Sequence, residues 1–339
     1  MSRVPEPIGH EAIRASLQAY ATSRAGGDDA GLHHAWLFAG PAGVGKFLVA
    51  RWWASLLKCP EAGACEPECE SCRLIAGSVH PDVYETGPAP KKNAERRSDG
   101  SFELKKSVGV DESRAMIQRL SLRPTRPGPR IAILREASTM TPEAQNALLK
   151  LLEEPPGSAV IILVSDNIGA MLTTVRSRCR TAAFGALSLD EIARVLTRLG
   201  KPRDEAEAAA ACARGSVSRA LTYDPEGLAD RESVLLAWER LRRSEEDTES
   251  VLRLLVERKE SGYALADLLE WQLAKVETSL GRPAPEPSAE LAAILAECEG
   301  ADPRALLDDT ERVQRTIDAL ARNANPRLVI RDLLLNVRA

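Results

Sequence analysis

Eight residues, GPAGVGKF at 40–47, constrain what this chain can fold into more than any other stretch. The apolar run HAWLFAG, 34–40, leads into them, and FLVARWWASLLK, 47–58, follows with helical periodicity. Strand, glycine loop, helix is the setting in which G-x-x-x-x-G-K wraps a phosphate. Gly40, Gly43 and Gly45 let backbone amides curl around an anion, and Lys46 adds a charge. The pattern asks next for Ser or Thr, whose hydroxyl ligates the magnesium of a bound nucleotide. Phe47 stands in that place.

Two further apolar runs, RIAILREA (130–137) and AVIILVSD (159–166), read as strands of a parallel sheet covered on both faces. Between them TPEAQNALLKLLEEPP (141–156) predicts a helix capped by Thr141, opened by Pro142 and stopped by Pro155 and Pro156. Strands alternating with helices give an α/β first domain. A nucleotide site also needs an acid at the end of a neighbouring strand to hold magnesium. The IAIL strand ends in Arg135 and Glu136. Arg135 puts a cation where that carboxylate belongs, while Glu136 keeps the place of the water-activating acid. Taken singly, Arg135 could be only a surface residue at a strand end. Together, Phe47 and Arg135 damage one function, magnesium coordination, and point to a site released from hydrolysis.

Four of the seven cysteines crowd into CPEAGACEPECESC: Cys59, Cys65, Cys69 and Cys72. Four thiolates so close suit one structural zinc, tetrahedral and closed to substrate. The alternatives are free thiols, or a zinc knuckle that touches nucleic acid. The first residues, MSRVPEPIGHEAI, hold no apolar run long enough for a secretion signal, and no segment is long and apolar enough to span a membrane. Reduced thiols and a cytoplasmic location are expected. The net charge of −4 provides no global basic field for nucleic acid or an anionic membrane. Aromatic residues are 4% of the chain, so aliphatic packing is expected to dominate and base-stacking platforms are not.

TTVRSRCR, 173–180, alternates three arginines, which an extended segment would point one way. The ordinary reading is a solvated basic edge; the sharper one makes Arg178 a finger offered to a phosphate on another subunit. The polar stretch 86–107 reads as a loop or small hairpin, with Lys91, Lys92, Arg96, Arg97, Lys105 and Lys106 as its basic residues. After Phe184 the pattern turns helical, beginning with a capping box of Ser188 and Glu191. The run DPEG at 224–227 marks an internal boundary.

Taken together, GPAGVGKF, the cysteine cluster, HPDVYE (80–85), AQNALLKLLEEPP (144–156), TTVRSRC and the terminal NANPRLVIRDLLL resemble the clamp-loader ATPase family of bacterial DNA polymerase III, most of all its non-hydrolysing (stator) member. The resemblance implies an AAA+ module at 1–184 with the cysteine module at 59–72, a small helical lid at 185–226, and an all-α collar at 227–339 that assembles a hetero-pentameric ring. It implies motor ATPase subunits and the delta subunit as partners, with the sliding clamp and primed DNA reached through the complex. It places the family's arginine finger on Arg178, which would complete the ATP site of a neighbouring motor subunit. It aligns Arg219 with a lid arginine and sets Ser165 near a polar sensor. ATP and magnesium would not be turned over by this chain alone. The rivals are an active motor subunit of the same loader, which Phe47, Arg135 and the lack of a long tail oppose, and a stand-alone nucleic-acid-binding module.

Overall fold

Alternation along three short strands builds two cores at once. The structure is a computed structural model that describes residues 4–25, 33–65, 69–89, 105, 107–213, 215–222, 225–256, 261–282, 288–321 and 324–337. Contacts divide the chain into two units, 1–222 and 223–339.

In the first unit the elements run α1 (Glu11–Ala25), β1 (Ala35–Ala39), α2 (Lys46–Lys58), α3 (Glu70–Ala76), β2 (Val83–Thr86), α4 (Val110–Leu120), β3 (Ile131–Leu134), α5 (Pro142–Glu153), β4 (Val160–Ser165), α6 (Thr173–Arg176), β5 (Arg180–Ala183), α7 (Leu189–Arg198), α8 (Arg203–Cys212) and α9 (Val217–Leu221). The five strands are parallel, in the order β2-β3-β4-β1-β5. Every residue of β1, β3 and β4 is buried, as central strands with helices on both faces must be.

Side chains alternate between the faces. Trp36, Phe38, Ile131, Ile133 and Ile162 pack with α1 and α2, whereas Leu37, Ala132, Leu134, Ile161 and Leu163 pack with α4 and α5. The second face is aliphatic, as composition implies. The first is not: Tyr20, Trp36 and Trp53 meet edge to face at centroid distances of 5.0–5.5 Å, and Phe38 stacks on Trp53 at 6.2 Å. The few aromatic residues of the chain are thus spent largely in one place.

Local signals in the sequence behave as written. Thr141 accepts a hydrogen bond from the Ala144 N–H at 3.2 Å with Pro142 opening α5. Ser188 and Glu191 exchange their capping bonds at the start of α7. One reading is corrected: TTVRSRCR is not extended. Residues 173–176 form the single turn α6, and only from Arg180 does the chain join the sheet. The edge strands β2 and β5 have no apolar run of their own. Most of the basic stretch at 91–106 lies outside the described residues; within it, Lys105 pairs with Glu112 at 3.2 Å.

The second unit is helical in its described residues: α10 (Pro225–Arg242), α11 (Thr248–Val256), α12 (Ser261–Ser279), α13 (Ala289–Ala296), α14 (Pro303–Ala321) and α15 (Pro326–Val337). Trp238, Leu241, Leu252, Leu265, Leu268, Val313 and Leu334 form its core. Among the described residues no helix is long and apolar enough to cross a membrane.

Candidate functional site

Parallel strands bring the carboxyl ends of β1, β3 and β4 to one edge of the sheet, where α/β folds bind ligands. Gly40 leaves β1 there, its N–H donating to the Ser165 carbonyl at 3.3 Å. The loop backbone needs its glycines. At Gly43, φ is 76°, and a Cβ would lie 2.2 Å from Ser216 Oγ. At Gly40 a Cβ would lie 2.2 Å from the Phe184 carbonyl oxygen.

Two segments clasp the loop. The N–H of Val217, at the start of α9, donates to the Gly43 carbonyl at 2.9 Å. From the other side His10 Nε2 donates to the Val44 carbonyl at 2.9 Å, while its ring meets Phe184 edge-on at 4.8 Å. Lys46 is buried, and its Nζ donates to the carbonyls of Gly40 and Pro41 at 2.6 and 2.5 Å. Burial lowers the pKa of this ammonium, and the charge of Asp166 works against that shift. A cavity of about 430 Å³ opens here, lined by Gly43, Lys46, Phe47, Glu136, Asp166 and Ser218 among others.

The two residues that break the motif meet in space. The guanidinium of Arg135 lies over the Phe47 ring, 5.2 Å from its centroid, and Arg51 approaches the same ring at 6.0 Å. Neither residue offers an oxygen to a metal. Glu136 is exposed, with a left-handed backbone (φ 54°) at the head of a short 3₁₀ turn. Asp166, at the end of β4, accepts from Ser138 Oγ at 2.6 Å. Ser165 is buried beside it. The sequence reading passed over Asp166, although it closes the quoted run AVIILVSD. Arg219 is half-buried in α9, next in sequence to the cavity-lining Ser218.

The cysteines come together at the far end of α2, about 20 Å along the helix from Lys46. Cys59 caps α2, Cys69 caps α3 and Cys72 lies within α3. All four Sγ atoms lie within 4.8 Å of one another, and Cys65 and Cys72 stand 3.8 Å apart. A tetrahedral zinc with bonds of about 2.3 Å sets its sulfurs about 3.8 Å apart. The donor set and its spacing therefore fit that ion. Burial pushes the Cys59 and Cys72 thiols up, whereas the Cys69 N–H, donating to Cys65 Sγ at 3.4 Å, favours the Cys65 thiolate. Buried thiols that resist ionisation become thiolates readily only beside a cation. The module is tied to the sheet domain by Arg51, which donates to the Ile75 carbonyl at 2.6 Å and pairs with Glu85 at 2.9 Å.

Arg178 follows α6 and precedes β5, whose first residue pairs with Trp36 near the start of β1. It therefore lies at the amino-terminal edge of the sheet, a strand length of about 13 Å from the edge that carries the loop. Its Nε donates to Glu153 Oε1 at 2.6 Å, Nη2 pairs with the same oxygen, and Nη1 donates to the Thr174 carbonyl at 2.9 Å.

A glycine loop between parallel strand and helix, with a buried lysine at its mouth, defines a phosphate-loop α/β domain. The family described as "DNA polymerase III, delta subunit" matches residues 23–188, a little under half of the chain. DNA polymerase III subunit delta' of Pseudomonas aeruginosa is 34% identical over 205 residues, 58% of each chain. The gamma/tau subunit of Mycobacterium tuberculosis is 33% identical over 201 residues, 57% of this chain and 30% of its own. The match thus spans little more than half of the first relative and less than a third of the second. A DNA polymerase III gamma subunit-related protein from Thermotoga maritima aligns over 96% of this chain and 98% of its own at 18% identity, with a TM-score of 0.38.

Proposed function

We propose that this chain is a delta-prime-type stator of the DNA polymerase III clamp loader, a subunit that does not itself hydrolyse ATP. The observation that carries the reading is the contact between Arg135 and Phe47 at the loop. A monovalent cation on an aromatic ring occupies the side of the site where a magnesium ion needs a hydroxyl and a carboxylate. Lys46, already held by two backbone carbonyls, keeps at most a capacity for metal-free phosphate binding. In this reading the domains are an AAA+ module at 1–184, a lid at 185–226 and a collar at 227–339, and the four cysteines hold one structural zinc.

Its contribution to turnover is made in trans. Arg178, at the opposite edge of the sheet from its own loop, is offered to the ATP of a neighbouring motor subunit, in a ring that also contains delta and delivers the sliding clamp to primed DNA. Arginine fingers accelerate phosphoryl transfer by about 10³–10⁵ because they neutralise charge that develops on the transferred group. Arg178→Ala is expected to leave assembly intact and slow the DNA-dependent ATP turnover of the reconstituted complex. Normal turnover in that complex refutes the finger assignment. Calorimetric titration of the isolated chain with ATP tests the stator assignment: no magnesium-dependent binding and no turnover is the expected result.

A second reading, an active motor subunit, is favoured by Glu136 and Asp166, two acids that line the cavity. Magnesium-dependent binding with turnover by the isolated chain would establish it.

A further inference from the structure

Arg178 is held by its own chain in a manner that the finger reading does not require. A guanidinium has five N–H donors. Two of them, on Nε and Nη2, converge on one oxygen of Glu153, and a third, on Nη1, goes to the Thr174 carbonyl. One N–H is left on each terminal nitrogen, and that pair is the number a phosphate takes in a bidentate contact. The side chain stays open to solvent, with Arg178 35% and Glu153 49% exposed. The ion pair is therefore reachable from outside and is no part of the core.

Glu153 is the last residue of α5, a helix fixed by its buried Leu148, Leu151 and Leu152. Arg178 is set on the short turn after α6, anchored by Val175. The same two segments are joined a second time: Gln145 of α5 accepts from the Leu172 N–H at 2.7 Å. A rigid helix end thus presents a carboxylate to a residue on a one-turn segment, and fixes a long side chain that would otherwise sample many rotamers.

We infer that Glu153 is the positioning residue of Arg178: it presets the guanidinium for a nucleotide phosphate held by a neighbouring subunit. The inference rests on the finger reading above. Glu153 touches no substrate and acts through Arg178 alone. Its loss costs order, and misplaced groups of this kind lower the rate of the chemical step more than they weaken binding.

The test uses the reconstituted loader complex with four versions of this chain: wild type, Glu153→Gln, Arg178→Ala and the double variant. Glu153→Gln is close to isosteric and keeps a hydrogen-bonding oxygen while removing the charge. DNA-dependent ATP turnover should fall about tenfold in kcat with KM unchanged, and Glu153→Gln should add nothing in the Arg178→Ala background. If Arg178→Ala slows turnover while Glu153→Gln does not, the positioning role is overturned and the finger stands. An equal loss from Glu153→Gln in both backgrounds assigns the glutamate a merely structural role and also overturns it. Full turnover with Arg178→Ala removes the finger reading itself, and the inference with it.

Discussion

Arg135 and Phe47 are in contact, guanidinium over ring at 5.2 Å. They are 88 residues apart in sequence, and each alone has a bland explanation. Their contact makes them one feature: the side chain that ends β3 packs on the side chain that follows the loop lysine. Arg135 is exposed and Phe47 half-buried, and a cation over a ring at such a solvent-reachable site contributes about 0.5–1 kcal/mol.

That value can be measured as a coupling. Phe47→Leu, Arg135→Ala and the double variant are expected to give non-additive stabilities in urea denaturation, with about 0.5–1 kcal/mol of coupling. Additive effects would mean that the two residues are neighbours without an interaction.

If the pair has replaced a metal site, reversing it should restore metal dependence. Phe47→Thr together with Arg135→Asp supplies a hydroxyl and a carboxylate at the places the motif prescribes. The double variant is expected to bind ATP at least about tenfold more tightly with magnesium than without, a gain of about 1.4 kcal/mol. Each single variant should gain less, since the remaining partner still denies a ligand. Calorimetry in both buffers decides it, and equal affinities in the double variant sink the idea that these two positions alone removed the metal.

The cysteine module makes a sharper forecast. Purified protein should carry about one zinc per chain, and less than a tenth of that refutes the structural ion. If the four thiols hold that ion, Cys72→Ser, which replaces a thiol only 1% exposed, should abolish zinc retention and lower the melting temperature. The damage should centre on α3 and the loop before it, because Arg51 reaches α3 only through its last carbonyls. Hydrogen exchange resolved along the chain would show whether the loss is local.

Much of this architecture is legible in the sequence because its signals are local. Thr141 and Ser188 each bond to a backbone N–H three residues on, and the runs that became β1, β3 and β4 are buried on both faces and therefore unbroken in hydrophobicity. The edge strands escape for the opposite reason: β2 is half-buried throughout and β5 is mostly exposed, so no period marks them. The candidate site divides in the same way. Gly40, Gly43, Gly45, Lys46 and the cysteines announce themselves by spacing. Asp166 and Glu153 matter through partners 28 and 25 residues away in sequence, which no local pattern encodes. The arginines of TTVRSRCR alternate as a strand would, yet α6 forms because Val175 is buried in the core on the α5 face of the sheet.

Acid should destabilise the protein in two stages that can be assigned to neighbours in the first unit. His80 is 4% exposed and accepts from the Asp82 N–H through Nδ1 at 3.1 Å. Burial, helped by the charge of Lys58, lowers its pKa from 6.5 to about 4. The unfolded chain therefore takes up this proton first as pH falls. The stability tied to neutral His80 is complete above about 6.5 and is lost between there and about 4, up to about 3 kcal/mol. Asp82 follows at lower pH. Burial would raise its pKa, but the Thr125 N–H, at 2.8 Å, and Lys58, at 2.9 Å, outweigh that and hold it at about 2. Its contribution is present above the unfolded value of 3.8 and fades as pH drops towards 2, about 2 kcal/mol in all. His80→Gln should flatten the upper stage and leave the lower one. Urea denaturation of both proteins at intervals from pH 7.5 to pH 2 measures the difference across both stages, and any acid release of a metal from the cysteines cancels as a common effect. Parallel curves would show that His80 titrates alike in the folded and unfolded chains.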